Sequence, residues 1–248
     1  MSQDPPSPSA GRSALRWATS LTTTALGLSA ASLVRFVAPV GALQIVHRTC
    51  ELAHRIFGLR VSLRDDNCED YSDPPYVFIC LNQTSLIETF LLPWLVPRPY
   101  RVIVNFEYAL LPIFGWSSVA MGARVIIRQR PKQAKRAILR AIQDLRRGDT
   151  YIISIEGRRS PDGTLQPYKK GAVVMALEAE ATVIPVIIRG AQARLPYGTW
   201  RVRPGPVEVH LLRAIKTRGL GYQARDQLLS QLQTLAKTCL SETPKAPP

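Results

Sequence analysis

Residues 150–190 read TYIISIEGRRSPDGTLQPYKKGAVVMALEAEATVIPVIIRG. The opening TYIISIEG is an apolar run of strand length that stops at Glu156 and Gly157. GAVVMALEAEA (171–181) has the spacing of a helix, and TVIPVIIRG (182–190) is a second apolar strand. Working outward, LRVSLR (59–64), YVFICLN (76–82), YRVIVNFE (100–107), ARVIIR (123–128) and GPVEVHLL (205–212) also read as strands. Helical spacing recurs at 85–96, at 132–147 and from about Tyr222 to Leu240. In the second of these, Ala134, Ile138, Ala141, Ile142 and Leu145 share a face and Gly148 supplies the stop. Strands that alternate with helices predict an α/β fold with a mostly parallel central sheet flanked by helices. Its span is 58–240; the Pro/Ser-rich ends, 1–13 and 241–248, read as disordered tails.

The 248 residues carry a net charge of +14. Between Arg98 and Lys170 alone, 15 Lys and Arg face 5 Asp and Glu. Such a surplus selects polyanions: nucleic acid, an anionic membrane or a phosphorylated substrate. Nucleic acid is not expected, because the chain lacks zinc-ligand spacing, aromatic RNA-stacking motifs and a Lys/Arg-rich tail. Cys50, Cys68, Cys80 and Cys239 are far apart and form neither a CxxC pair nor a disulfide framework, which fits a reducing, cytosol-facing location.

Residues 17–46, WATSLTTTALGLSAASLVRFVAPVGALQIV, contain one charge, Arg35. Three readings are open: a single span, an interfacial segment, or an ordinary core helix. Pro39 interrupts a continuous helix. Two membrane-associated helices over about 14–35 and 39–57, lying in one leaflet, are the expectation. Arg12, Arg16, Arg48 and Arg55 would then face the anionic cytoplasmic surface.

In doubly wound sheets, ligands bind beyond the carboxyl ends of strands. Two polar knots lie there. NQTSLIE (82–88) follows one strand and EGRRS (156–160) another, while Arg128 ends a third. Gly157 allows close backbone approach or a positive φ. Arg158 and Arg159 offer bidentate donors for phosphate, and Lys169 and Lys170 precede a helix N-terminus. Glu88, five residues after Gln83, either returns to one pocket with it or caps the helix that starts near Thr84 and Ser85.

Taken in order, NQTSLIE, FEYALLPIFGW with GARVIIR, EGRRS, and PYKKGAVVMA with VIPV resemble the blocks of the glycerolipid (1-acylglycerol-3-phosphate) acyltransferases over residues 60–215. The resemblance implies transfer of an acyl group from acyl-CoA or acyl-carrier protein to a lysophospholipid, with no metal or other cofactor. It puts the catalytic pair at residues 83 and 88. It implies acceptor binding by Arg128, Glu156, Gly157 and Arg159, with Asn82, Ser85, Arg158 and Lys169 beside them. It further implies membrane lipids as partners and an active face toward the cytoplasm.

This sequence departs from that pattern where the chemistry lies. Gln83 occupies the position of the family's histidine base and Glu88 that of its aspartate. Ile155 replaces a proline and Arg158 a threonine. Gln does not titrate near neutral pH. Two expectations follow. Either Glu88 acts as base, directly or through a water, with Gln83 orienting the hydroxyl or polarising the thioester; or the chain binds lipid with little chemistry, as a scaffold. His47, His54 and His210 lie outside the blocks.

Overall fold

The computed structural model describes residues 9–67, 69–110, 114–127 and 129–242. Expectations that fall on residues 1–8 and 243–248, on Cys68 and on Arg128 lie outside the described residues. Nine α-helices and seven strands follow one another along the described chain: α1 (Ala10–Val34), α2 (Pro39–Phe57), β1 (Leu59–Asp65), β2 (Tyr76–Cys80), α3 (Glu88–Leu95), β3 (Tyr100–Asn105), α4 (Phe106–Ala109), α5 (Phe114–Ala120), β4 (Arg124–Ile126), α6 (Pro131–Arg146), β5 (Thr150–Ser154), α7 (Lys170–Glu178), β6 (Thr182–Arg189), α8 (Ala191–Arg194), β7 (Gly205–Leu211) and α9 (Arg225–Ser241). The α1 helix starts at Ala10, where the Ser9 hydroxyl accepts from the Arg12 amide. Residues 10–13, expected in a tail, are therefore helical.

The strands form one sheet in the order β1-β7-β6-β2-β5-β3-β4. All neighbours are parallel except β6 and β7, whose antiparallel register runs from Val186↔Leu211 to Arg189↔Glu208. The apolar run YVFIC is central: every residue of β2 is buried, as expected for a parallel strand covered on both faces. Alternation divides it between two cores. Val77 and Ile79 pack with Ile142 and Leu145 of α6, Val173 of α7 and Leu232 of α9. Tyr76, Phe78 and Cys80 pack with Phe57 of α2 and Leu91 of α3 on the other face.

The α1–α2 pair sits on that second face. Gly27 of α1 lies against Thr49 of α2 with no room for a Cβ, so small residues set the close approach of the hairpin. The α2 helix ends at Gly58, in a left-handed conformation (φ 70°) whose N–H donates to the Arg55 carbonyl. Among the described residues, no helix is long and apolar enough to cross a membrane, which removes the single-span reading. The α1 and α2 helices pack on the domain and on each other, and the turn between them exposes Phe36 and Val37, 78% and 90% accessible.

On α6, Ala141, Ile142 and Leu145 are buried as their spacing required, whereas Ala134 and Ile138 are half-buried and line a cavity. Asp144 is fully buried on the same helix. It accepts from Arg124 Nε and Nη2, both at 2.8 Å, from Tyr151 Oη at 2.6 Å, and from Arg147. Despite burial, these partners hold its carboxyl below the ordinary range. This knot ties β4 to β5 through α6. Asp144→Asn should cost about 3 kcal/mol, because Arg124 and Tyr151 lose a charged acceptor inside the protein; a denaturant titration of the variant checks this.

Candidate active site

The two polar knots meet at the carboxyl ends of β2 and β5. Gln83 is clamped by its backbone: its N–H donates to Glu156 Oε2 at 2.6 Å, and its carbonyl accepts from Ser160 N–H at 2.7 Å. The other Glu156 oxygen accepts from the Gln166 amide at 2.7 Å. Glu156, 1% exposed, thus fastens the two loops together, and burial raises its pKa. Gly157 has φ 70°, the conformation that lets the chain turn sharply there. The Gln83 side chain makes no hydrogen bond to another described residue and lines a cavity of about 460 Å³.

Glu88 realises both alternatives open in the sequence. Its Oε1 accepts from Thr84 N at 2.8 Å, Thr84 Oγ1 at 3.0 Å and Ser85 N at 2.9 Å, so it caps the chain that enters α3. Its Oε2 is buried and has no partner among the described residues. The residue lines the same cavity as Gln83. Burial pushes its carboxyl up to about 7; the three donors pull it down, and Glu156 raises it a little. It is a carboxylate at its titration midpoint near neutral pH, with one oxygen committed to structure and one uncommitted.

The remaining expected residues divide. Ser85 lines the cavity, but its hydroxyl donates to the Leu195 carbonyl at 2.9 Å. Asn82 lies outside it: its amide bridges the backbone of Ile188, donating at 2.7 Å and accepting at 2.9 Å, which fixes the loop to β6. Arg158 is exposed and also outside, while Gly157, Arg159 and Lys169 line the cavity. Arg159 makes no hydrogen bond or ion pair with another described residue; its guanidinium stacks over Tyr197 at 5.0 Å from the ring centroid. Sequence reasoning missed Tyr197, 38 residues further along the chain, and Ser154, whose buried hydroxyl on the cavity wall has no partner among the described residues. Neither stands out by spacing or type.

Much of the rest of the wall is apolar, with Phe90 and Leu92 of α3, Val102 and Val104 of β3, Ile138 of α6, and Leu28 and Val46 of the hairpin, while Thr24, Thr49, Thr89, Arg101 and Asn105 add polar groups. Cations and a titrating carboxylate thus stand over a greasy chamber that α1 and α2 help to close. His54 is buried and packs edge-on against Trp94 at 5.7 Å between centroids, and His210 is hydrogen-bonded to Asp66 at 2.7 Å. His47 Nε2 lies 3.0 Å from the Val96 carbonyl, and none of the three histidines lines the cavity.

Residues 61–189, just over half of the chain, match the acyltransferase family. The chain belongs to that family. Proteins named 1-acyl-sn-glycerol-3-phosphate acyltransferase resemble this acyltransferase-family member. The one from Cocos nucifera is 32% identical over 149 residues, 60% of this chain and 48% of its own length. The one from Pseudomonas aeruginosa is 26% identical over 193 residues, 77% of this chain and 72% of its own. The chain spans about half the length of the plant relatives of Cocos and Limnanthes that it matches. The crystal structure of the 1-acyl-sn-glycerophosphate acyltransferase from Thermotoga maritima superposes with a TM-score of 0.69 at 21% identity, covering 93% of this chain and all of that one. The acyltransferase fold thus includes the N-terminal hairpin as well as the sheet.

Proposed function

We propose that the protein transfers a fatty acyl group from acyl-CoA or acyl-carrier protein to the free hydroxyl of 1-acylglycerol-3-phosphate, giving phosphatidic acid. The observation that carries this reading is the juxtaposition, on one largely apolar chamber, of the buried Glu88 Oε2 with the Arg159 and Lys169 side chains, none of which has a hydrogen-bond or ion-pair partner among the described residues. Glu88 Oε2 takes the proton of the acceptor hydroxyl. The alkoxide-like oxygen attacks the thioester carbonyl, the new C–O bond forms, and the C–S bond breaks. The departing thiolate recovers the proton from Glu88. The Gln83 side-chain amide, on a backbone held by Glu156 and Ser160, donates to the carbonyl oxygen as charge develops on it. Arg159 and Lys169 take the acceptor phosphate, the acyl chain occupies the chamber, and Arg128 is a further candidate for the phosphate.

The protein works at a membrane surface in this reading, with its site toward the cytoplasm. Phe36 and Val37 at the hairpin turn, and Leu33 and Val40 beside it, are exposed, and Arg12, Arg16, Arg48 and Arg55 supply cations for anionic headgroups. The double substitution Phe36→Glu/Val37→Glu should lower co-flotation with vesicles containing phosphatidylglycerol about tenfold or more, with unchanged circular dichroism.

A second reading rests on Gln83, which cannot act as a base: a family member that binds the lipid and does little chemistry. Single-turnover transfer of labelled acyl from acyl-CoA to lysophosphatidic acid decides between them. Turnover by the native protein supports the enzyme. Binding of lysophosphatidic acid without turnover supports the second reading and sinks the first for this acceptor.

A further inference from the structure

We propose that Tyr197 is the positioning residue that aims Arg159 at the acceptor phosphate. This deepens the headgroup assignment above and rests on it. Arg159 lies between two backbone anchors. Its backbone is anchored on both sides, by the left-handed turn at Gly157 and by the Ser160 N–H bond to the Gln83 carbonyl. Its side chain is long and, left alone, would sample many rotamers at the cavity mouth. Some arginines in this fold are held by carboxylates, as Arg124 is by Asp144 and Arg101 by Asp149, and others lie over rings, as Arg98 does over Tyr76. A carboxylate at Arg159 would consume the donors that a phosphate needs. The Tyr197 ring does not: it carries Arg159 Cζ at 5.0 Å from its centroid and takes up none of the N–H donors, which have no acceptor among the described residues.

Tyr197 is itself well placed to register the site. It stands two residues after Leu195, which is 2% exposed and whose carbonyl accepts from the Ser85 hydroxyl of the active-site loop. Three residues beyond it, the Trp200 carbonyl accepts from Trp17 Nε1 of α1 at 2.5 Å. One segment therefore touches the catalytic loop, the phosphate-side arginine and the N-terminal hairpin. The Tyr197 ring is about half exposed (49%) and its hydroxyl has no partner among the described residues, so packing alone does not account for it.

The test is binding of 1-oleoyl lysophosphatidic acid in mixed micelles to the full chain, measured calorimetrically for the native protein, Tyr197→Phe, Tyr197→Ala, Arg159→Ala and the double alanine variant. Tyr197→Phe should bind within twofold of native, because the ring is kept. Tyr197→Ala should bind about two- to fivefold more weakly, the size of an exposed cation–π contact. Arg159→Ala should lose about tenfold or more. In the Arg159→Ala background, Tyr197→Ala should add nothing. An unchanged affinity in Tyr197→Ala, or a Tyr197 effect that persists without Arg159, overturns the proposal while leaving the phosphate site standing. Native affinity in Arg159→Ala overturns the phosphate assignment and the proposal with it.

Discussion

Glu88→Gln should lower the single-turnover rate of acyl transfer by 10²–10⁴-fold, the usual contribution of a general base, and leave the fold intact. Glutamine keeps the carbonyl acceptor for Thr84 and Ser85 but has no oxygen able to take a proton. The native rate should rise with pH through about 7, the value to which burial pushes the Glu88 carboxyl, and then level. Stability should move the opposite way. The folded state raises this carboxyl from an ordinary value of 4.5 to about 7, so it favours the neutral form. The associated stability is fully present below about 4.5 and is lost as pH climbs to about 7, amounting to about 3 kcal/mol. The gap between thermal melts at pH 4.5 and pH 8 should therefore be smaller for Glu88→Gln than for the native protein, the raised carboxyl of Glu156 keeping part of it. A variant that keeps the native rate would remove Glu88 from the chemistry.

The second large effect is expected at Gln83. Its backbone is held at both ends by Glu156 and Ser160, while its amide is free at the cavity. If the amide donates to the developing oxyanion, Gln83→Leu should lower the rate by about 10²–10³-fold with little change in affinity for lysophosphatidic acid, the cost of deleting one such donor. Gln83→Glu should be as poor, since a carboxylate has no donor and adds charge beside Glu88. Equal losses in binding and rate would make Gln83 an acceptor-binding residue instead. A faster Gln83→His variant with a silent native protein would support the lipid-binding reading.

The succession of strands and helices was legible in local pattern. β2 is uniformly apolar because both faces are covered, and a strand of that kind has no other environment. Amphipathic spacing placed α6, and Gly148, with φ 90°, ended it. The two polar knots are legible because strand ends in this topology converge whatever their side chains, and Gly157 is legible because only glycine takes its φ at little cost.

Roles within the site were legible only in part, since a motif states which residues gather but not which atoms are used. Asn82 and Ser85 read as substrate contacts, yet each satisfies backbone more than 100 residues away, at Ile188 and Leu195. Unpaired buried polar groups are costly, so such pairings are settled only when distant strands are in place. The division of Glu88 into a capping oxygen and an unpartnered one depends on burial, which is a property of the folded chain. The same holds for Tyr197 under Arg159 and for the hairpin that closes the apolar chamber. Local pattern chose the strands, helices and turns because those energies act over a few residues. Tertiary structure decided which donors are consumed, which charges are desolvated and which side chains remain unpaired, because those quantities exist only once remote segments touch.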